Sequence, residues 1–84
     1  MHNLAPYKVV VSVGVGRKKT MEQTMAHDVH LLCDAEEFAS EIMHYGGWKD
    51  GDCIDIIGKN EKVIHCFEHG RKRWHIVTFA GRKF

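Results

Sequence analysis

The sequence contains no apolar run near the roughly 18 residues that a membrane-spanning helix requires. Its first residues lack the charged-then-apolar layout of a secretory leader. It has one proline and no repeat, low-complexity tract or linker-like stretch, so residues 1–84 read as one domain. The only serines are Ser12 and Ser40. Neither lies in a Gly-x-Ser-x-Gly elbow, and no His-Glu-x-x-His occurs. Gly14-x-Gly16 runs into Arg17 without the Gly-Lys-Ser/Thr that a phosphate loop needs. Asp52, Asp55 and Glu61 read as solvated turn charges rather than an acid/base pair. Three cysteines, Cys33, Cys53 and Cys66, cannot all pair within one chain and fit no secreted framework. They are expected to be reduced thiols acting as small core hydrophobes in a cytoplasmic protein. These absences predict a non-enzymatic protein with no catalytic residues and no cofactor.

A net charge of +1 conceals a segregated chain. Residues 1–26 carry Lys8, Arg17, Lys18 and Lys19 against Glu22. Residues 27–61 carry nine acids against Lys49 and Lys59, and residues 62–84 carry six bases against Glu68. Basic ends thus flank an acidic middle, and local fields of this kind steer association. Seven histidines are present. His27, His30 and Cys33 recur at three-residue spacing, as do Cys66 and His69, but on strands that spacing alternates faces, so no metal site is expected.

Residues 7–15, Tyr-Lys-Val-Val-Val-Ser-Val-Gly-Val, place Val9, Val11, Val13 and Val15 on one face at period two, a strand by pattern and propensity. Lys8, Ser12 and Gly14 are expected on an open face, and Gly16 to Lys19 form a polar turn. Residues 20–33 fit two templates. As a strand over 24–32, Met25, Val29, Leu31 and the following Cys33 face inward, with Thr24, Asp28 and His30 outward. As a helix, Thr20 and Gln23 form a capping box. The strand is favoured because Val-His-Leu-Leu-Cys directly precedes a clear helix start. There, Asp34 and Glu37 form a capping box, Cys33 staples onto Phe38, and Ala35, Phe38, Ala39, Ile42 and Met43 make one apolar stripe. Gly46-Gly47 ends the helix. Strands follow at 53–57, 63–68 and 73–79, with polar turns between them.

The order β-β-α-β-β-β specifies an α+β fold of two layers, an antiparallel sheet of about five strands with one helix on one face. In an up-and-down arrangement the turns after the first and fourth strands share an end with the helix C-terminus. Arg17, Lys18, Lys19, Lys49, Arg71, Lys72 and Arg73 then gather beside Trp48 and Trp74. Cations grip phosphate and indoles stack on bases, so this end is the candidate binding site. An open edge on the hydrophobic first strand would also allow a dimer.

With this order of elements, Asp-Ala-Glu-Glu-Phe-Ala-Ser-Glu-Ile (34–42), Gly-Asp-Cys-Ile-Asp-Ile-Ile (51–57) and Glu-His-Gly-Arg-Lys-Arg-Trp (68–74) carry a likeness. The layout over residues 24–79 resembles small phage-encoded anti-defence proteins, in particular compact anti-CRISPR inhibitors of type I surveillance complexes. Gly70-Arg71-Lys72-Arg73-Trp74 is similar to a Gly-Lys-Arg-Trp turn found among them, with one extra basic residue. The resemblance implies a phage or mobile-element inhibitor that acts by binding a host protein or RNA-guided nucleoprotein complex. Its basic end would touch DNA, RNA or a nucleoprotein groove. The alternative from the residues alone is a small regulatory nucleic-acid-binding domain. Either reading expects a pH response. Protonating all seven histidines takes the formal charge from +1 to +8, so affinity for anions should rise below about pH 6; equal binding at neutral and mildly acidic pH would contradict it.

Overall fold

The β-branched run at residues 7–15 and the apolar stripe of residues 35–43 demand partners, and each supplies the other's. The computed structural model describes residues 4–15 and 18–77, with side chains for 4–13 and 21–77. Its elements are β1 (Tyr7–Val15), β2 (Lys18–Val29), α1 (Leu32–Met43), β3 (Cys53–Ile57), a short 3-10 turn (Lys59–Glu61), β4 (Val63–Gly70) and β5 (Arg73–Val77). The strands form one antiparallel sheet in the order β2-β1-β3-β4-β5. The fold is α+β, with the helix between β2 and β3 in the chain. Among the described residues no helix is long and apolar enough to cross a membrane.

The valine alternation sets the core. Val9 and Val11 of β1, Ile54 and Ile56 of β3, and Ala35, Ala39 and Ile42 of α1 are buried together. The helix packs on β1, β3 and β2. Small Ala35 and Ala39 are fully buried and let the helix backbone approach the sheet, while Ile54, Ile56 and Val9 fill the space beneath. The partly buried Phe67 and Trp74 extend this layer toward the far edge.

Four local expectations are corrected. The helix starts at Leu32, not after Asp34, and its N-cap Leu31 makes no side-chain capping bond. The Leu31 carbonyl accepts from the N–H groups of Asp34 and Ala35 at 3.1 and 3.2 Å, so Asp34 sits in the first turn. There its charge still opposes the helix dipole favourably. Cys33 lies inside the helix and is exposed rather than stapled onto Phe38. Lys18 and Lys19 are not in a turn. They pair with Val15 and Gly14 in β2, since a neighbouring hydrophobic strand overrides weak local propensity. β1 is also the second strand of the sheet rather than an edge, which removes it as a dimerisation edge.

The face away from the helix is less open than its alternating polar residues suggest. Val10 and Ser12 are buried there, flanked by Thr24 and Glu22 of β2 and by Asp55 and Cys53 of β3. Cys53 and Cys66 are half-buried, form no disulfide and lie on this same face, not within the helix-side core. Burial pushes the Cys66 thiol well up from its ordinary range, reinforced by a hydrogen bond to Asp55 and by the negative charge of that carboxylate. Lys8 reaches Glu61 at 3.2 Å.

The packing predicts a contrast measurable by urea denaturation. Ile54→Ala, at a fully buried position, should cost about 3 kcal/mol. Met21→Ala, at a position 59% exposed, should stay within about 0.5 kcal/mol.

Candidate functional site

The antiparallel ladder decides where the basic residues lie. β1 ends at Val15 and β4 at Gly70, and both strands run opposite to β3. The Val15–Lys18 pair and the Gly70–Arg73 pair therefore lie at one end of the sheet. The loop from the helix C-terminus enters β3 at that end too. Lys18, Lys19, Lys49, Arg71, Lys72 and Arg73 are thus at a common end by backbone position. Arg17 lies outside the described residues.

The sheet order determines how they are arranged there. β2-β1 and β4-β5 stand on opposite sides of β3, so the two strand-pair ends are three strand spacings apart, about 14 Å. This exceeds the Debye length of about 8 Å at physiological salt. By backbone position, the segments that carry the bases thus stand on either side of β3 at this end of the sheet.

The β4–β5 end is built from an unusual turn. Gly70 pairs with Arg73, leaving Arg71 and Lys72 as the two central residues of a hairpin, with φ of 53° and 69°. Positive φ at both positions matches the twist of a hairpin and ordinarily selects Asn-Gly. Two long basic side chains hold this left-handed backbone at a local cost of about 1 kcal/mol each. Arg71, Lys72 and Arg73 are all exposed.

The loop that leads into β3 is held by its own hydrogen bonds and by β4. The Lys49 N–H donates to the Asp52 carboxylate at 2.8 Å, and the Asp52 N–H donates to the Lys49 carbonyl at 3.1 Å. Gly51 N–H donates to the His69 carbonyl and His69 N–H to the Asp52 carbonyl, both at 2.9 Å. Gly51, with φ of 96°, supplies the left-handed residue this turn needs. Asp52 is buried, so its charge points into the loop. Asp50 lies 3.5 Å from the His69 ring. The Lys49 side chain remains exposed beside them.

The tryptophans support the site rather than standing free in it. Trp48 donates its indole N–H to the Ile42 carbonyl at 3.2 Å, satisfying a helix C-terminal acceptor. It meets Trp74 edge-on, with centroids 5.3 Å apart and planes at 77°. Trp74 in turn meets the His69 ring at 5.2 Å. This aromatic row joins the helix end, the 46–51 loop and the β4-β5 hairpin, and it fixes the direction of the basic turn. Its three-way packing is not visible in the spacing of the residues, although an aromatic at each of three junctions was a usable signal.

A cleft of about 360 Å³ beside the turn is lined by Asp50, Gly51, Glu68, His69, Gly70, Arg71 and His75. His75 lies within 3.0 Å of the Gly70 carbonyl through Nε2, which braces the hairpin. Among the described residues, no group of three His, Cys, Asp or Glu side chains is arranged to hold a metal ion. Comparison with protein-family models, curated proteins and solved structures finds no match to this chain.

Replacing the turn with its locally preferred residues, Arg71→Asn with Lys72→Gly, should stabilise the protein by about 1 kcal/mol in thermal or urea unfolding. A loss of stability would show that the basic side chains hold the turn rather than strain it.

Proposed function

We propose that this protein is a non-enzymatic binding protein whose cationic end docks on a polyanionic nucleoprotein. In the reading suggested by its resemblance to anti-CRISPR proteins, it is a phage or mobile-element inhibitor of an RNA-guided host defence complex. The observation that carries the docking is the Arg71-Lys72 turn. Two exposed cations occupy left-handed backbone at the tip of a braced hairpin, followed at once by exposed Arg73. The end of β2 with Lys18 and Lys19 stands at the same end of the sheet.

Basic segments whose backbones stand about three strand spacings apart suit an extended array of phosphates better than a single small anion. Arg71 and Arg73 can each engage a phosphate through two N–H groups, while the lysines act as point charges. With Trp48 and Trp74 packed edge to face, affinity comes mainly from charge and shape. Inhibition then needs no chemistry. Occupying the groove where target DNA would lie blocks access by competition.

The test is Arg71→Glu, Lys72→Glu, Arg73→Glu in one protein, titrated against duplex DNA and against a guide-RNA-loaded type I surveillance complex. Binding should weaken by at least tenfold, and the slope of log affinity against log salt should flatten by roughly three, with the melting temperature retained. Unchanged binding to both targets would refute the docking surface. Binding to free duplex as tight as to the complex would favour the regulatory nucleic-acid-binding domain over the inhibitor.

A further inference from the structure

The cleft beside the Arg71-Lys72 turn has a lining that suits neither a metal nor a bare anion. Its volume, about 360 Å³, falls among small-ligand sites of about 300–1,000 Å³. Gly51 and Gly70 in its lining contribute no side chains and leave the space open. Among the described residues, the acids and imidazoles are not arranged to hold a metal ion. Asp50 and Glu68 both line the cleft, and two carboxylates repel a simple anion. A ligand that fits must bring an anionic part to Arg71 and N–H donors to a carboxylate. A nucleotide carries both.

The two carboxylates are not equivalent. Asp50 Oδ1 lies 3.5 Å from His69 Nδ1, a buried atom without a hydrogen bond, so Asp50 is turned toward that ring. Glu68 is exposed and pairs with His75 across the β4-β5 ladder, which sets the two side chains next to each other on one face of the sheet. His75 Nε2 donates to the Gly70 carbonyl at 3.0 Å. That bond holds the exposed imidazole in place as a stacking surface.

We propose that this cleft takes one unpaired guanine of a nucleic-acid strand, with Glu68 accepting from the base's N1–H and N2–H groups; the inference rests on the reading that this end docks on nucleic acid. Of the common bases, only guanine presents two adjacent N–H donors on its Watson–Crick edge, a match for the two oxygens of a carboxylate. Adenine and cytosine set an amino group beside an acceptor nitrogen, which a carboxylate repels. Thymine and uracil set one N–H between two carbonyls. The guanine ring stacks on His75, and Arg71 holds the adjoining phosphate. In a duplex the edge that Glu68 reads is already paired, so the guanine must be single-stranded.

Fluorescence anisotropy at low salt with short oligonucleotides tests the assignment. A thymidine heptamer with deoxyguanosine at its centre should bind at least about fivefold tighter than the all-thymidine heptamer. The corresponding uridine and guanosine ribo-oligomers are measured alongside, and the larger ratio identifies DNA or RNA as the source of the guanine. Deoxyinosine at the centre, which lacks the N2 amino group, should lose most of the preference. A 7-deazaguanine, whose Watson–Crick edge is intact, should keep it. Glu68→Gln replaces one acceptor oxygen with a donor and should bring the ratio to one with the melting temperature retained. Equal binding of strands with and without guanine in both series, or a preference that survives Glu68→Gln, would overturn the assignment while leaving the docking surface standing. No binding of any strand would overturn it together with the reading of this end as a nucleic-acid surface.

Discussion

A single helix must roof five strands. Twelve residues of helix span about 18 Å and cover a strip about 10 Å wide, whereas five strands side by side extend across about 19 Å between the outer strand axes. The helix therefore covers one half of the sheet, and the rest of the structure follows from that shortage. Ala35 and Ala39 sit over β1 and β3, where Val9, Ile54 and Ile56 are fully buried. The β4-β5 half is left to Trp48, which folds back from the helix end onto Trp74. That contact closes the core and also anchors the hairpin carrying Arg71 and Lys72.

Stability and the proposed activity consequently meet at one junction. The helix C-terminal carbonyl of Ile42, the indole of Trp48, the ring of Trp74 and the His69 backbone link the core to the exposed turn in a short chain of contacts. The turn itself holds a conformation better suited to Asn-Gly than to Arg-Lys. Local stability is reduced where charge is displayed, and the aromatic row behind it supplies the rigidity. A surface that binds through charge and shape gains from such pre-organisation, because little ordering remains to be done on association.

Much of this was legible in the residues. The period-two valines marked β1 over Tyr7–Val15, and the turn residues marked β3. The up-and-down order of strands placed the basic segments at one end. What could not be read was the lateral order of the strands. Nothing local in Lys18 to Val29 or Cys53 to Ile57 says that β3 sits beside β1 and so separates the two basic hairpins. Asp34 has the residue type of a cap, yet the helix begins before it, because the Leu31 carbonyl accepts from the Asp34 and Ala35 N–H groups and no side-chain cap is used. Ser12 looked solvent-facing from its polarity, yet a central position among long neighbours buries it. In each case a partner distant in the chain outweighed the local signal.

The most direct measurement of the central claim is a residue-resolved NMR titration of the labelled protein with a short DNA duplex at low salt. Amide shifts should concentrate at Lys18, Lys19, Lys49 and Arg71 to Arg73 and reverse with added salt, with the opposite end around Lys59 and Lys62 unperturbed. Shifts centred on the helix or on that opposite end, with the Arg71-Lys72 turn silent, would contradict it.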